Sequence, residues 1–128
     1  MTKEEKDLLL KDLCARLPYK VKVEIKNVCK VCTLEEIDCS DDEMSVAVKH
    51  ENGELAGYDF DLAKPYLFPL ESMTEEQREE WHSLMVRDAY GILYHTIESF
   101  DYLYKNHIDI RGSITKGLAK NATRLNIY

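Results

Sequence analysis

The chain has 128 residues, of which 45% are hydrophobic and 32% are charged, and its formal net charge is −7. This length fits one domain with its own core, residues 1–128, and the composition is too apolar for a disordered chain. No apolar run approaches the roughly 20 residues of a membrane-spanning helix. Residues 1–17 are too charged for a secretion signal. A cytoplasmic location with reduced cysteines is therefore expected.

The charge is distributed unevenly along the chain. Residues 105–128 contain five basic side chains and one acidic one, a net charge of +4, whereas the first 104 residues carry −11. The acidic total argues against nucleic-acid binding by the whole surface. The basic segment nevertheless supports an alternative hypothesis, a small nucleic-acid-associated module. Its phosphate-binding residues would be Arg111, Lys116, Lys120 and Arg124.

Residues 1–17 are predicted to form a helix. Thr2 and Glu5 match a capping box, in which the two side chains satisfy free backbone N–H groups of the first turn. Apolar residues follow at positions 9, 10, 13, 14 and 17, which lie on one helical face. Pro18 is expected to end the helix.

Residues 19–63 are predicted to form an antiparallel β-meander of four short strands. In the stretch "YKVKVEIKNV" apolar and charged residues alternate, which is typical of a half-buried strand. The stretches "VCTLEEI" and "MSVAVKH" are the second and third strands, with the acidic run 38–43 as a loop between them. The Asn-Gly pair at 52–53 indicates a hairpin turn. The return strand is predicted to direct Tyr58, Phe60 and Leu62 into the core.

The stretch "KPYLFPL" at 64–70 lies where the strand period gives way to a helical period. Its two prolines favour an extended path and interrupt strand pairing. Residues 64–73 are therefore predicted to form a buried corner between the sheet and the helices, with Leu67 and Phe68 mostly buried. An exposed recognition loop is the alternative interpretation.

Residues 74–128 are predicted to be mainly helical. Thr74 and Gln77 match a second capping box, and Gly91 is expected to interrupt a helix that would otherwise continue to residue 106. The predicted helices are 75–88, 96–106 with Thr96 as its capping residue, and 114–122. The predicted fold is α+β, with an N-terminal helix, a small antiparallel sheet and C-terminal helices. A Sm-like small β-barrel is the topological alternative.

Cys29 and Cys32 form a Cys-x-x-Cys motif, a spacing that zinc sites use on tight knuckles. No glycine lies between them to form a knuckle, and residues three apart in a strand point to opposite faces. No second Cys-x-x-Cys follows, and the βαβ context of a thioredoxin-like motif is missing. The sequence therefore predicts no metal site and no cofactor, with the cysteines acting as small buried hydrophobic residues.

The motifs of common enzymes are missing from the sequence: it contains no phosphate-binding loop, dinucleotide fingerprint or nucleophile elbow. An enzyme is therefore the weakest of three hypotheses. Its catalytic groups would be a histidine and two carboxylates, His95, Glu98 and Asp101, assembled in space around the third helix.

The densest aromatic feature of the chain is a group of tyrosines between residues 90 and 104. Exposed tyrosines are typical of surfaces that bind other proteins. Tyr94, Tyr102 and Tyr104 are therefore the candidate partner-binding residues. Packing of the third helix against the core is the alternative role for them.

Two stretches resemble a group of small uncharacterised proteins of gut anaerobic bacteria, their prophages and their phages. They are "KPYLFPLESMTEE" at 64–76 and "DIRGSITKGLA" at 109–119, with Ser113 where that group commonly has leucine. The resemblance implies a mobile-element origin and no particular mechanism. The preferred hypothesis is therefore a non-enzymatic interaction protein that binds a protein partner or a second copy of itself, without membrane association.

Overall fold

The computed structural model describes residues 1–40 and 43–128 and has an α+β architecture. The helices are α1 (Lys3–Arg16), α2 (Glu75–Ser83) and α3 (Ile97–Lys105). The strands are β1 (Lys22–Ile25), β2 (Cys29–Ser40), β3 (Glu43–Lys49), β4 (Leu55–Asp59), β5 (Ala63–Leu67), β6 (Val86–Arg87), β7 (Leu93–Tyr94) and β8 (Lys120–Asn121). Within the described ranges, every helix is too short or too polar to cross a membrane.

Six strands form one sheet in the order β4-β3-β2-β1-β5-β8, and β6 and β7 form a separate hairpin. Neighbouring strands in the large sheet are antiparallel, except that β8 runs parallel to β5. The predicted meander is thus confirmed and extended by β5 and β8. The Sm-like barrel is wrong, because β4 and β8 remain as two separate edges and the sheet does not close.

Helix α1 begins at the predicted capping box. The Thr2 hydroxyl accepts the Glu5 N–H at 3.1 Å, and the Glu5 carboxylate accepts the Thr2 N–H at 3.0 Å. Leu9 and Leu13 are fully buried against the sheet, whereas Cys14 is exposed. The main core is completed by Val21, Val23, Ile25, Cys32, Leu34, Val46, Val48, Phe60, Ala63, Leu67 and Ala119.

The buried face of α1 also carries an ion pair that the apolar pattern did not reveal. Asp12 and Arg16 are both 0% exposed, and Arg16 Nε donates to Asp12 Oδ2 at 2.8 Å. Arg16 also donates to the Ile108 carbonyl, and its guanidinium lies 5.1 Å from the centre of the Tyr104 ring. Arg111 Nε approaches Asp12 Oδ1 at 3.5 Å. This network joins α1 to α3 and to the C-terminal segment.

The first half of the "KPYLFPL" stretch is a strand and not a corner. Pro65 lies opposite Val23 of β1, and the Ala122 N–H donates to the Leu67 carbonyl at 2.8 Å. Because the backbone groups of alternate strand residues point to the same side, Pro65 faces the β8 side, as Leu67 does. Strand β1 therefore needs no N–H group from Pro65, which explains how a proline is tolerated inside the sheet.

The corner itself lies a few residues later than predicted. Leu67 is fully buried in the main core, as expected, whereas Phe68 is only half-buried. After Pro69 the 3₁₀ turn Leu70–Ser72 leads into α2. Phe68 belongs to a second, smaller apolar cluster, whose other members are Met73, Trp81, Tyr102, Leu103, Ile108 and Ile110.

Residues 74–128 contain less helix than predicted. The capping residues Thr74 and Thr96 are confirmed, but α2 ends at Ser83, and Gly91 (φ +81°) lies in the turn of the β6–β7 hairpin. The predicted helix 114–122 is wrong. This segment forms turns, with Gly117 at φ +76°, and its end pairs with the edge of β5.

Two further local predictions differ from the structure. Strand β4 ends at Asp59, and Phe60–Leu62 forms a 3₁₀ turn that still buries Phe60. In the acidic run, residues 38–40 continue β2 and Glu43 begins β3, whereas residues 41 and 42 lie outside the described residues.

The two stretches 64–76 and 109–119 lie side by side in the fold. The Phe68 N–H donates to the His107 carbonyl, and the Asp109 N–H donates to the Phe68 carbonyl, both at 2.8 Å. The Asp109 carboxylate accepts the N–H of Ser113 at 2.9 Å and closes the turn, in which Ser113 is fully buried. Residues of both stretches therefore have structural roles, in backbone pairing at Phe68 and in the turn that Asp109 closes.

Replacing Arg16 by alanine is expected to lower the free energy of unfolding by about 3–5 kcal/mol, because a buried carboxylate loses its partner. The matched control is Lys6→Ala, which removes the exposed Lys6–Asp61 pair at 3.3 Å and should cost less than about 1 kcal/mol. Urea denaturation measures both values. Equal, small losses for the two variants would contradict a structural role for the buried pair.

The stability of the protein is expected to depend on His107 at acidic pH. Burial, assisted by the positive charges of Arg16 and Lys22, lowers the His107 pKa from 6.5 to about 4. Between pH 6.5 and 4 the unfolded chain therefore binds more protons than the folded chain. The contribution of neutral His107 to the free energy of unfolding is fully present above pH 6.5 and is lost as the pH falls through 4.

The variant His107→Asn removes the titrating group, and asparagine tolerates the positive φ of 60° at this position. Its melting temperature should fall less steeply between pH 6.5 and 4 than that of the wild-type protein. Parallel slopes for the two proteins in a pH series would show that His107 does not carry this dependence.

Candidate functional site

The largest group of exposed apolar side chains lies within residues 86–100, here named the hairpin surface. Of the thirteen exposed large apolar residues in the described part of the chain, seven belong to this segment. They are Val86, Tyr90, Ile92, Leu93, Tyr94, Ile97 and Phe100, with exposed fractions between 36% and 91%. Because scattered exposed apolar residues are normal but clustered ones mark interaction sites, this surface is the first candidate site.

The turn of the hairpin is held in one conformation by Asp88. Its Oδ1 accepts the N–H groups of Tyr90 and Ile92, both at 2.9 Å, and its Oδ2 accepts the Tyr94 hydroxyl at 3.1 Å. These hydrogen bonds, that from the Ile92 N–H foremost, lower the pKa of Asp88. The side chain of Tyr90, 91% exposed, is thus presented to solvent by a preformed turn.

Aromatic rings connect the hairpin surface to the helices. The His95 ring lies 5.5 Å from Trp81 of α2 and 4.8 Å from Phe100 of α3, between ring centres. The Thr96 hydroxyl, which caps α3, donates to the Leu84 carbonyl. Of the exposed Asp, Glu, Lys and Arg side chains of the two neighbouring helices, two are basic, Arg78 and Lys105, and six are acidic, namely Glu75, Glu76, Glu79, Glu80, Glu98 and Asp101. The helices next to the apolar surface therefore expose more acidic than basic side chains.

The three candidate tyrosines do not share one surface. Tyr94 is exposed on the hairpin. Tyr102 is half-buried in the second apolar cluster, and its hydroxyl donates to Glu80 at 2.9 Å. Tyr104, also half-buried, lies under Arg16 and accepts a hydrogen bond from Arg111 at 3.1 Å. Sequence reasoning thus identified the aromatic region but not Ile92 and Ile97.

The four basic residues of the nucleic-acid hypothesis also differ in burial and in ion pairing. Arg111 is half-buried and approaches the buried Asp12. Lys120 forms an ion pair with Glu24 at 2.8 Å. Lys116 and Arg124 are exposed. Two of the four cations therefore already have carboxylate partners within the fold.

The residues of the enzyme hypothesis lie on the open surface. His95, Glu98 and Asp101 are all exposed. The His95 ring contributes to the aromatic layer of the hairpin surface, with Nδ1 3.3 Å from the Ser99 hydroxyl. Catalytic groups work best where water is excluded, and this arrangement does not provide such a site.

A second candidate site contains Cys29, Cys32 and His50. One ligand atom from each residue, the two Sγ atoms and a ring nitrogen, lie within 4.8 Å of one another. Among the residues that the structure describes, no other group of three potential metal ligands lies as close together. The premise that the two cysteines point to opposite faces is therefore wrong.

Strand pairing explains why both cysteines point the same way. Val23 lies opposite Cys32 and Ile25 opposite Cys29, so that two steps along β1 correspond to three along β2. Such an extra residue is a β-bulge, and it shifts the alternation of side chains. Opposed residues of antiparallel strands share a face. Because Val23 and Ile25 are both fully buried, both cysteines point to the core side.

The surroundings of the cluster range from buried to open. Cys32 is buried, and burial, followed by the neighbouring Cys29, raises its pKa to about 12. His50 Nε2 lies 2.9 Å from the Tyr58 hydroxyl. A cavity of about 400 Å³ borders Cys32, His50 and Glu51. The buried-hydrophobe role expected for the cysteines fits Cys32, whereas Cys14 and Cys39 are exposed.

The whole chain, which contains both the hairpin surface and the cysteine–histidine cluster, was compared with known proteins. The comparison with family models, with curated proteins and with solved structures found no match.

Proposed function

We propose that the protein is a non-enzymatic binding module that docks a protein partner on the hairpin surface. The observation that carries the proposal is the clustering of seven exposed apolar residues on one preformed turn and its flanks. A preformed turn loses little conformational entropy on binding. Tyrosine at an interface provides a large contact area with a polar end.

Charge indicates the chemistry of the partner. The first 104 residues carry a net charge of −11, and acidic side chains outnumber basic ones on the exposed parts of α2 and α3. A partner with an apolar patch surrounded by lysine and arginine would be complementary and would associate faster at low salt. A second copy of the same acidic surface would be repelled. The proposed partner is therefore a different protein, with basic side chains around its apolar patch.

Nucleic acid is a less favoured partner on the same evidence. The hairpin surface is apolar with acidic neighbours, whereas phosphate binding requires free cations. Arg111 and Lys120, half of the candidate cations, pair with Asp12 and Glu24. The resemblance of 64–76 and 109–119 to phage and prophage proteins supports a bacterial host cytoplasm as the place to look for the partner.

The test compares two highly exposed apolar positions. Tyr90→Ser removes the centre of the hairpin surface, and Leu55→Ser changes an apolar residue, 68% exposed, at the start of β4. Both substitutions should leave the free energy of unfolding within about 0.5 kcal/mol. Tyr90→Ser should weaken partner binding by roughly 2 kcal/mol, about 30-fold, the loss typical of an interface hot spot.

Partners are captured from host lysate with wild type and both variants, and each purified partner is then titrated at low and high salt. The proposal requires one protein that binds wild type and Leu55→Ser alike, loses affinity for Tyr90→Ser and binds more weakly in salt. Binding that is insensitive to Tyr90→Ser would contradict it. Dimers of the chain that dissociate on Tyr90→Ser would show self-association instead.

A further inference from the structure

We propose that Cys29, Cys32 and His50 bind one thiophilic transition-metal ion, Zn²⁺. Two thiolates and an imidazole are ligands that zinc prefers, and they leave a fourth position for water or another oxygen ligand. This site shares no residue with the hairpin surface, and metal binding there does not require the proposed protein partner.

The distances support this assignment. Zinc–sulfur bonds of roughly 2.3 Å at tetrahedral angles place two sulfurs about 3.8 Å apart. The ligand atoms of the cluster already lie within 4.8 Å of one another. Rotamer adjustments that shorten these distances by about 1 Å would complete the geometry. The bulge between β1 and β2 holds both cysteines on the required face without a metal.

The histidine has the support that a metal ligand needs. Its Nε2 lies 2.9 Å from the Tyr58 hydroxyl, and the two rings meet edge to face with centres 5.9 Å apart. A hydrogen-bond partner on a ring nitrogen orients a ligating imidazole and fixes its tautomer. Tyr58 is therefore assigned as the residue that positions His50.

The cluster is accessible to an ion from solvent. The cavity of about 400 Å³ that borders Cys32 and His50 is also lined by Glu51. Lys22 and Lys49 line the same cavity, and the positive charge of Lys22 partly offsets the burial that raises the Cys32 pKa. Without a metal, the two thiols donate to backbone carbonyls, Cys29 to Val31 at 3.2 Å and Cys32 to Val23 at 3.5 Å.

Metal binding would exchange protons for the cation. Each thiol loses its proton to solvent as the sulfur forms its bond to zinc, and no electron is transferred. Affinity should therefore increase with pH. The bound ion would connect the start of β2 to the end of β3, and so fasten the turn 26–28 to the neighbouring hairpin.

The experiment uses the full chain, kept reduced, with Zn²⁺ and with Co²⁺ as a spectroscopic substitute. One equivalent of metal should bind, and Co²⁺ should show sulfur-to-cobalt charge-transfer absorption and the d–d bands of a tetrahedral site. The double variant Cys29→Ser/Cys32→Ser should lose the charge-transfer band. The matched control is Cys14→Ser/Cys39→Ser, which removes the two exposed thiols and should bind as wild type does.

Two milder variants keep the test decisive if the cysteine variant does not fold. His50→Asn removes a ligand, and Tyr58→Phe removes only its hydrogen-bond partner, which should weaken metal binding by about 10- to 100-fold. Unchanged affinity in both folded variants would overturn the proposal. A reduced wild-type chain that takes up no metal would also overturn it. That result would stand even if Cys29 and Cys32 formed a disulfide after removal of the reductant.

Discussion

The buried ion pair between Asp12 and Arg16 is the constraint on which the arrangement of the rest of the chain depends. Two charges taken out of water are costly unless each finds good partners. Here those partners come from distant segments, the Ile108 carbonyl and the side chains of Tyr104 and Arg111. Satisfying one helix face therefore fixes where α3 and the C-terminal segment lie. The position of α3 in turn determines where the hairpin surface is displayed.

The parts of the fold that depend on local sequence could be predicted. The capping residues Thr2, Thr74 and Thr96, the alternating strands β1 to β3 and the turn at Gly53 follow from hydrogen bonding and backbone preferences within a few residues. Elements decided by distant partners could not. Strand β8 exists because β5 offers an unpaired edge, and Pro65 is tolerated because of the side that it faces.

The candidate sites divide in the same way. Aromatic density pointed to the region of Tyr94, but only the fold shows that Tyr102 and Tyr104 turn inward while Ile92 and Ile97 stay outside. For the cysteines, the rule of alternation failed because a bulge is a property of two paired strands. The turn at Asn27 (φ 63°), just before Cys29, was the one local sign of irregular pairing there.

The contact between Arg16 and Ile108 joins residues that are 92 positions apart. At a synthesis rate of roughly 5–20 residues per second, about 5 to 18 s pass between the addition of Arg16 and that of Ile108. Through that interval the Arg16 guanidinium lacks both its carbonyl partner and the Tyr104 ring beneath it. The nascent chain must meanwhile keep the edge of β5 unpaired, because β8 is made later still. Assembly on the ribosome is therefore slow to complete, and a chain halted before residue 108 exposes an open sheet edge to aggregation.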